Sequence, residues 1–278
     1  MGRAKRIPYG VSDFIDIIER NQYYVDKTMY IPKLEDEPDA LFFIRPRRFG
    51  KSLFISMLRA YYDIKRKDKF DKLFGNLWIG SHPTENQGKY QVLFLDFSKI
   101  GGSIDQLKEN FNAYCNECID SFIETYQEYY PARVVENVLK AKTAARKLNA
   151  IGIAAEKKNL PLYLIVDEYD NFTNVVLNEQ GEEVYTALTH ASGFYREIFK
   201  VFKGMFSKIF MTGVSPVTLD DLTSGFNIGW HISTKPAFNQ MLGFSTEDVR
   251  ELFTYYKENG EIRPDSDVEA IIEEMKPW

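Results

Sequence analysis

The sequence predicts an α/β fold built on a parallel β-sheet, and three observations carry that prediction. Apolar runs without polar alternation recur at residues 41–44, 92–97, 161–166 and 208–212, each of a length suited to a strand buried on both faces. Helix-patterned segments separate them, as crossover connections between parallel strands require. Several of the runs end in carboxylates or hydroxyls, which places chemistry at the C-terminal edge of the sheet, where open α/β sheets bind ligands.

The first run leads into Arg45-Pro46-Arg47-Arg48-Phe49-Gly50-Lys51-Ser52-Leu53 and then a helix pattern with apolar Leu53, Ile55, Met57, Leu58, Tyr61 and Tyr62. Strand, basic turn and Gly-Lys-Ser helix start read as a phosphate-binding P-loop. Backbone N–H groups at the helix start meet phosphate oxygens, Lys51 reaches the β and γ oxygens, and the Ser52 hydroxyl holds Mg²⁺. The remaining candidate contacts in the loop are Arg47, Arg48, Phe49, Gly50 and Leu53. Arg45 stands where the usual pattern has its first glycine. Pro46 fixes its own φ near −65° and biases Arg45 toward an extended backbone, so the turn can still close. Arg47 and Arg48 either add charge at the phosphates or pair with acids elsewhere.

The run Pro161-Leu162-Tyr163-Leu164-Ile165-Val166 ends in Asp167-Glu168. Asp167 is the candidate second Mg²⁺ residue, through water, and Glu168 the candidate base that polarises an attacking water. A solvent-facing Glu after a strand is the plainer account of Glu168. At the end of the 208–212 run, Thr212 or Ser215 is placed to sense a γ-phosphate, or each simply completes a turn before Pro216. Asp96, ending the 92–97 run, caps the next turn or joins the site. No Asn-Lys-x-Asp or Thr-Lys-x-Asp reader of guanine occurs, and Thr234-Lys235-Pro236-Ala237 fails at its last position, so ATP is the expected nucleotide.

With 278 residues, 44% of them hydrophobic, the chain can bury a large domain and a smaller one. Its net charge of −5 gives no general pull toward nucleic acid or membrane. Residues 41–72 do hold ten Lys or Arg against three acids, so a nucleic-acid contact at Lys65, Arg66, Lys67 and Lys69 competes with a solvated helix end and is the less favoured account. Cys115 and Cys118 share a helical face as reduced thiols, and scattered His82, His190 and His231 supply no zinc spacing. No apolar run reaches membrane length and no signal peptide opens the chain, so a cytoplasmic location is expected.

Residues 1–40 form an N-terminal segment on the core, with Phe14, Ile15, Ile17 and Ile18 on a short helix. That segment covers the base of the nucleotide or plugs a sheet edge. Residues 41–235 form the ATPase core, with a helical insertion at about 103–158 expected as two long helices broken at Pro131, the second over 132–158. The insertion is a partner surface or a plain crossover. Another helix runs from 181 to about 203 and carries Arg196, the best-placed arginine for a finger. Residues 236–278 read as a partial helical lid: Ser245 with Asp248 forms an acidic capping box, Asp265 or Ser266 opens the next helix, and Arg250 is placed to face the phosphates.

Together, Tyr24-Val25-Asp26-Lys27-Thr28, the 45–53 loop and Asp167-Glu168-Tyr169-Asp170 resemble the AAA-ATPase-like family of bacterial and archaeal proteins, in which Arg at the first-glycine position is usual. Phe74-Gly75, Leu95-Asp96-Phe97-Ser98, Thr212-Gly213-Val214-Ser215-Pro216 and Met241-Leu242-Gly243-Phe244-Ser245 extend the resemblance over nearly the whole chain. It implies a three-layer P-loop NTPase fold with strand order 5-1-4-3-2 and ATP with Mg²⁺ as ligands. It also implies a C-terminal nuclease-like domain in other members and a lid that stops short at Trp278. Two functions follow: hydrolysis coupled to a protein partner or to such a domain, and a non-hydrolysing, nucleotide-gated interaction module. The partner and the oligomeric state are open.

Overall fold

The computed structural model describes residues 4–101, 104–171, 194–215 and 229–275, without the side chains of 104, 105, 194–197 and 275. The four apolar runs are strands β1 (Ala40–Ile44), β2 (Gln91–Asp96), β3 (Leu162–Asp167) and β4 (Lys208–Gly213). A fifth, β5 (Trp230–His231), has two residues, both exposed, so no apolar run announces it. All pairings are parallel, and the order is β2-β3-β4-β1-β5, or 5-1-4-3-2 from the other edge. The register sets Ile44 beside Gly213 and Asp96 beside Asp167, so one sheet edge collects the ends of four strands.

Helices cover both faces because successive strand residues point opposite ways. Helix α1 (Phe14–Glu19), α2 (Tyr30–Glu35), α3 (Lys51–Tyr62), α4 (Phe70–Phe74) and α5 (Trp78–Ser81) lie on the side of Leu41, Phe43, Tyr163, Ile165 and Phe210. The other side, bearing Phe42, Leu93, Leu95, Leu164, Val166 and Met211, packs against α6 (Ile104–Thr125), α8 (Ala144–Lys157) and α9 (Phe194–Met205), with α7 (Ala132–Lys140) against α8. Burial of β3 at every position is what its unbroken apolar run required.

The 103–158 insertion is the crossover from β2 to β3, with Phe111, Cys115, Ile119, Leu148 and Ile151 in the core. Its second half is two helices, where one over 132–158 was expected. The chain turns extended at Ala141, and the Thr143 hydroxyl accepts from Arg146 N at 3.4 Å to start α8 afresh. The expected helix start near 181 lies outside the described residues.

At the C-terminal end, α10 (Thr246–Glu258) opens with both bonds of the capping box: Ser245 Oγ accepts from Asp248 N at 3.1 Å, and Asp248 Oδ2 from Ser245 N at 2.6 Å. The last helix, α11 (Val268–Met275), is opened by Asp267, whose Oδ1 accepts from Glu269 N and Ala270 N, not by Asp265 or Ser266. Arg250 does not face the loop. Its guanidinium pairs with Glu247 and, at 2.6 and 3.0 Å, with both oxygens of Glu269, bracing α10 on α11.

The N-terminal segment joins these elements. Phe14 N donates to Ser56 Oγ on α3 at 3.0 Å, and the Phe14 ring stacks on Phe74. Asp26 accepts from Thr28 and from Trp78 N, and Thr28 Oγ1 from Ile79 N, which fixes α5. Between them, Lys27 reaches Asp248 at 2.6 Å, the two side chains being only 12% and 14% exposed. Tyr23 packs on Tyr255 and Tyr256, whose hydroxyls bond Lys5 N and O at 2.9 and 2.5 Å.

Burial alone would raise the Asp248 carboxyl, but the Lys27 ammonium and the Ser245 groups outweigh it and hold the carboxyl below the usual aspartate range. A depressed acid stabilises the fold fully above its unfolded value of about 3.9 and loses that contribution as pH falls through its folded value. Lys27→Met is expected to destabilise the chain by about 1–3 kcal/mol at pH 7, since it strands a mostly buried carboxylate. Urea unfolding at several pH values checks this, and the deficit should shrink once the pH drops below the ordinary aspartate range.

Candidate functional site

The loop from β1 to α3 has the backbone of an anion cradle. Gly50 takes φ +86° as the residue before Lys51, and Arg48 takes φ +67°, an uncommon conformation for a residue with a Cβ. A Cβ at Gly50 would meet nothing within 4 Å, so backbone conformation rather than space calls for glycine. No side chain caps α3, which leaves its first N–H groups for a ligand. Lys51 is 5% exposed, and its Nζ donates to Arg45 O at 3.0 Å and Pro46 O at 3.1 Å, closing the loop into a ring around its own ammonium. Burial lowers the Lys51 pKa, while the nearby carboxylates of Asp167, Glu168 and Asp170 oppose that shift.

Asp167 is the point where three elements meet. Its Oδ2 accepts from Ser52 Oγ of α3 at 2.6 Å, and its Oδ1 from Thr212 Oγ1 of β4 at 2.5 Å and from Glu168 N at 3.0 Å. A serine hydroxyl against an aspartate, beside an uncapped helix start and a buried lysine, is a hard-oxygen donor set suited to Mg²⁺ on a phosphate. The residues fit the group. Thr212 is buried, and its hydroxyl donates to Asp167, so it orients that carboxylate.

Glu168 follows in a left-handed backbone, φ +49°. Burial raises its carboxyl pKa and Asp167 adds to the rise, with Lys51 and Arg47 opposing. The turn that holds this conformation was not singled out from the sequence as part of the site. Tyr169 N donates to Thr212 O at 3.0 Å, and Tyr169 OH to Ser215 O at 2.8 Å. Asp170 accepts from Val214 N at 3.0 Å and Ser215 N at 2.5 Å. Gly213 leaves room for this approach: a Cβ there would lie 2.5 Å from Tyr169 Cε1 and 2.6 Å from Asp170 Oδ1. The exits of β3 and β4 are therefore one clamped unit, and the signal for it was the Asp-Glu-Tyr-Asp string with a glycine at the end of the neighbouring strand.

Arg45 turns away from the cradle. Its Nη1 donates to Ile44 O and Ser233 O, both at 3.0 Å, and its guanidinium lies 4.5 Å from the centre of the Phe43 ring. Arg47 and Arg48 are exposed and enter no ion pair among the described residues. Leu53 packs into the α3 side of the core, and Phe49 stands 43% exposed against Gly243. Asp96 serves as a cap, accepting from Ser98 N and Oγ. The side chain of Arg196 lies outside the described residues.

Other polar features carry less. Cys115 and Cys118 are free, and burial pushes both thiols up. No group of three His, Cys, Asp or Glu among the described residues is arranged to hold a metal. Within the basic stretch, Lys65 pairs with Glu128 and Arg66 with Asp63, and nearby Lys72 pairs with Glu19. A concavity of about 780 Å³ between α8 and α9 opens beside Pro161 and Ser207, at the sheet edge opposite the carboxylates, and so belongs to other surfaces than the loop. No helix among the described residues is long and apolar enough to cross a membrane.

Comparison with known proteins bears on the same residues. The chain is 26% identical over 264 residues to an uncharacterised protein from the vnfD 5′ region of Azotobacter chroococcum mcd 1, a match covering 90% of this chain and 45% of that protein. The chain thus spans less than half the length of this curated relative. A family model described as predicted AAA-ATPase matches residues 8–223, a span that takes in the loop, the Asp167 turn and the β4 exit. With most of its length inside that match, the chain belongs to the predicted AAA-ATPase family.

Proposed function

We propose that the protein binds ATP with Mg²⁺ at the β1–α3 loop and hydrolyses it. The observation that carries this reading is the 2.6 Å bond from Ser52 to Asp167, which joins the uncapped start of α3 to the end of β3 beside the Lys51 ammonium. Ser52 and Asp167 would hold the Mg²⁺, which supplies charge neutralisation at the β and γ oxygens when bound.

The chain's own groups divide the remaining work. The loop N–H groups and Lys51 orient the triphosphate and stabilise charge on its terminal oxygens. Glu168 takes a proton from a water as that water's oxygen bonds to the γ-phosphorus and the bond from phosphorus to the β–γ bridging oxygen breaks, giving ADP and phosphate. Arg47 and Arg48 add positive charge at the rim, and α10 with α11 forms the lid side of the site. Free thiols and the ATP requirement suit a cytoplasmic setting. Coupling to a protein partner, or to the further length present in the longer relative, is part of the proposal.

A non-hydrolysing, nucleotide-gated module shares this site and differs in turnover, so two variants separate the readings. Lys51→Ala is expected to weaken ATP binding by about 100-fold or more in calorimetry, roughly 3 kcal/mol. Glu168→Gln should keep ATP affinity within about threefold while multiple-turnover phosphate release drops about 10²–10⁴-fold. Wild-type chain that binds ATP but releases no phosphate would sink hydrolysis and leave the gated module.

A second expectation concerns pH. Burial and Asp167 hold Glu168 above the ordinary glutamate value, and only its ionised form accepts a proton. The turnover number should therefore fall on acidification with a midpoint above about 4.3, a limb that Glu168→Gln lacks. A wild-type rate flat across that range would remove Glu168 from the base role.

A further inference from the structure

We infer that Phe244 is the platform on which the nucleobase stacks, so that the site takes a purine nucleotide by its ring face; this rests on the loop binding a nucleotide's phosphates as proposed above. The direction of the bound molecule follows from the sheet order. Asp167, Glu168 and Thr212 sit at the ends of β3 and β4, on one side of β1, and they mark where the terminal phosphate lies. The nucleoside end then falls on the other side of β1, toward β5.

The chain leaving β5 builds a surface at that place. Ser233 is tied to the end of β1, its Oγ accepting from Ile44 N at 2.6 Å. The segment then passes through the turn Pro236–Phe238 and returns to the loop, where Gly243 N donates to Phe49 O at 3.1 Å. Gly243 has φ +78°, and a Cβ there would stand 3.2 Å from the Phe49 ring, so that ring covers bare glycine backbone at the rim of the cradle. Met241 and Leu242 are buried just before it, and the Ser245–Asp248 capping box with its Lys27 partner follows just after.

Phe244 is thus anchored on both sides, yet the residue is 69% exposed, and Phe49, which its neighbour Gly243 meets, is 43% exposed. Two exposed aromatic residues thus sit on adjoining backbone, one within the loop and one on the segment that returns to it from β5. A flat π-surface beside the α-phosphate end is what a base requires, and stacking favours the larger purine over a pyrimidine.

Calorimetry on the full chain tests this with MgATP, MgCTP and magnesium tripolyphosphate. Phe244→Ala should weaken MgATP about 10-fold or more and leave tripolyphosphate within about twofold, while wild type should prefer MgATP to MgCTP. Phe244→Trp should keep ATP affinity and show indole quenching, above the background of the native tryptophans, with ATP and not with tripolyphosphate. Unchanged ATP affinity in Phe244→Ala, with Lys51→Ala still losing it, overturns the stacking platform and leaves the phosphate loop standing. Equal weakening of ATP and tripolyphosphate by Phe244→Ala also overturns it, because the residue then acts on the loop. Wild-type chain that binds neither ligand removes both readings.

Discussion

The Asp167 carboxylate carries the architecture of the site, because its two oxygens accept from three elements at the sheet edge. Ser52 brings the start of α3, Thr212 brings the end of β4, and Glu168 N begins the turn leaving β3. A buried carboxylate is costly to leave unpaired and rigid when fully bonded. The position of the uncapped helix start relative to Glu168 is thereby set before any ligand arrives. Preorganisation of this kind is what electrostatic catalysis needs, since dipoles already in place require no reorganisation during reaction.

Around that point the molecule uses close approach more than charge. Gly213 lets Tyr169 and Asp170 lie on the β4 exit, and Gly243 lets Phe49 lie on the chain returning from β5. In both places a missing side chain on one segment is filled by an aromatic ring from another. Packing of this density transmits displacement, so the exits of β3 and β4 behave as a single body. Strain at Glu168, whose backbone is left-handed, is held by those same contacts.

Much of this was legible in the sequence where the signal is local. Four strands announce themselves as continuous apolar runs because each is covered on both faces. Gly50, Lys51, Ser52 and Asp167 were expected to converge because a Gly-Lys-Ser helix start and a strand-ending Asp fix residue type and position together, and Ser52 does meet Asp167. β5 escaped notice, being two exposed residues paired with β1. The break at Ala141 depends on one threonine cap competing with helix continuation, and the start of α11 on which of three polar residues turns its oxygen inward. Arg250 was placed near phosphate by pattern, and it instead braces α10 on α11 through Glu269. Tyr169, Asp170 and Gly213 act together only because β3 and β4 are adjacent in space, which no spacing along the chain displays.

The two ends of the chain are laced together: Lys5 bonds to Tyr255 and Tyr256 across some 250 positions, and Lys27 to Asp248 across 221. Contacts so far apart in sequence close late, after local helices and neighbouring strands have formed. During synthesis the sheet and the carboxylate cluster can assemble while the final stretch is still inside the ribosome. The contact between Phe49 and Gly243 cannot, so a nascent chain holds its β1–α3 loop well before it holds the segment that packs against it.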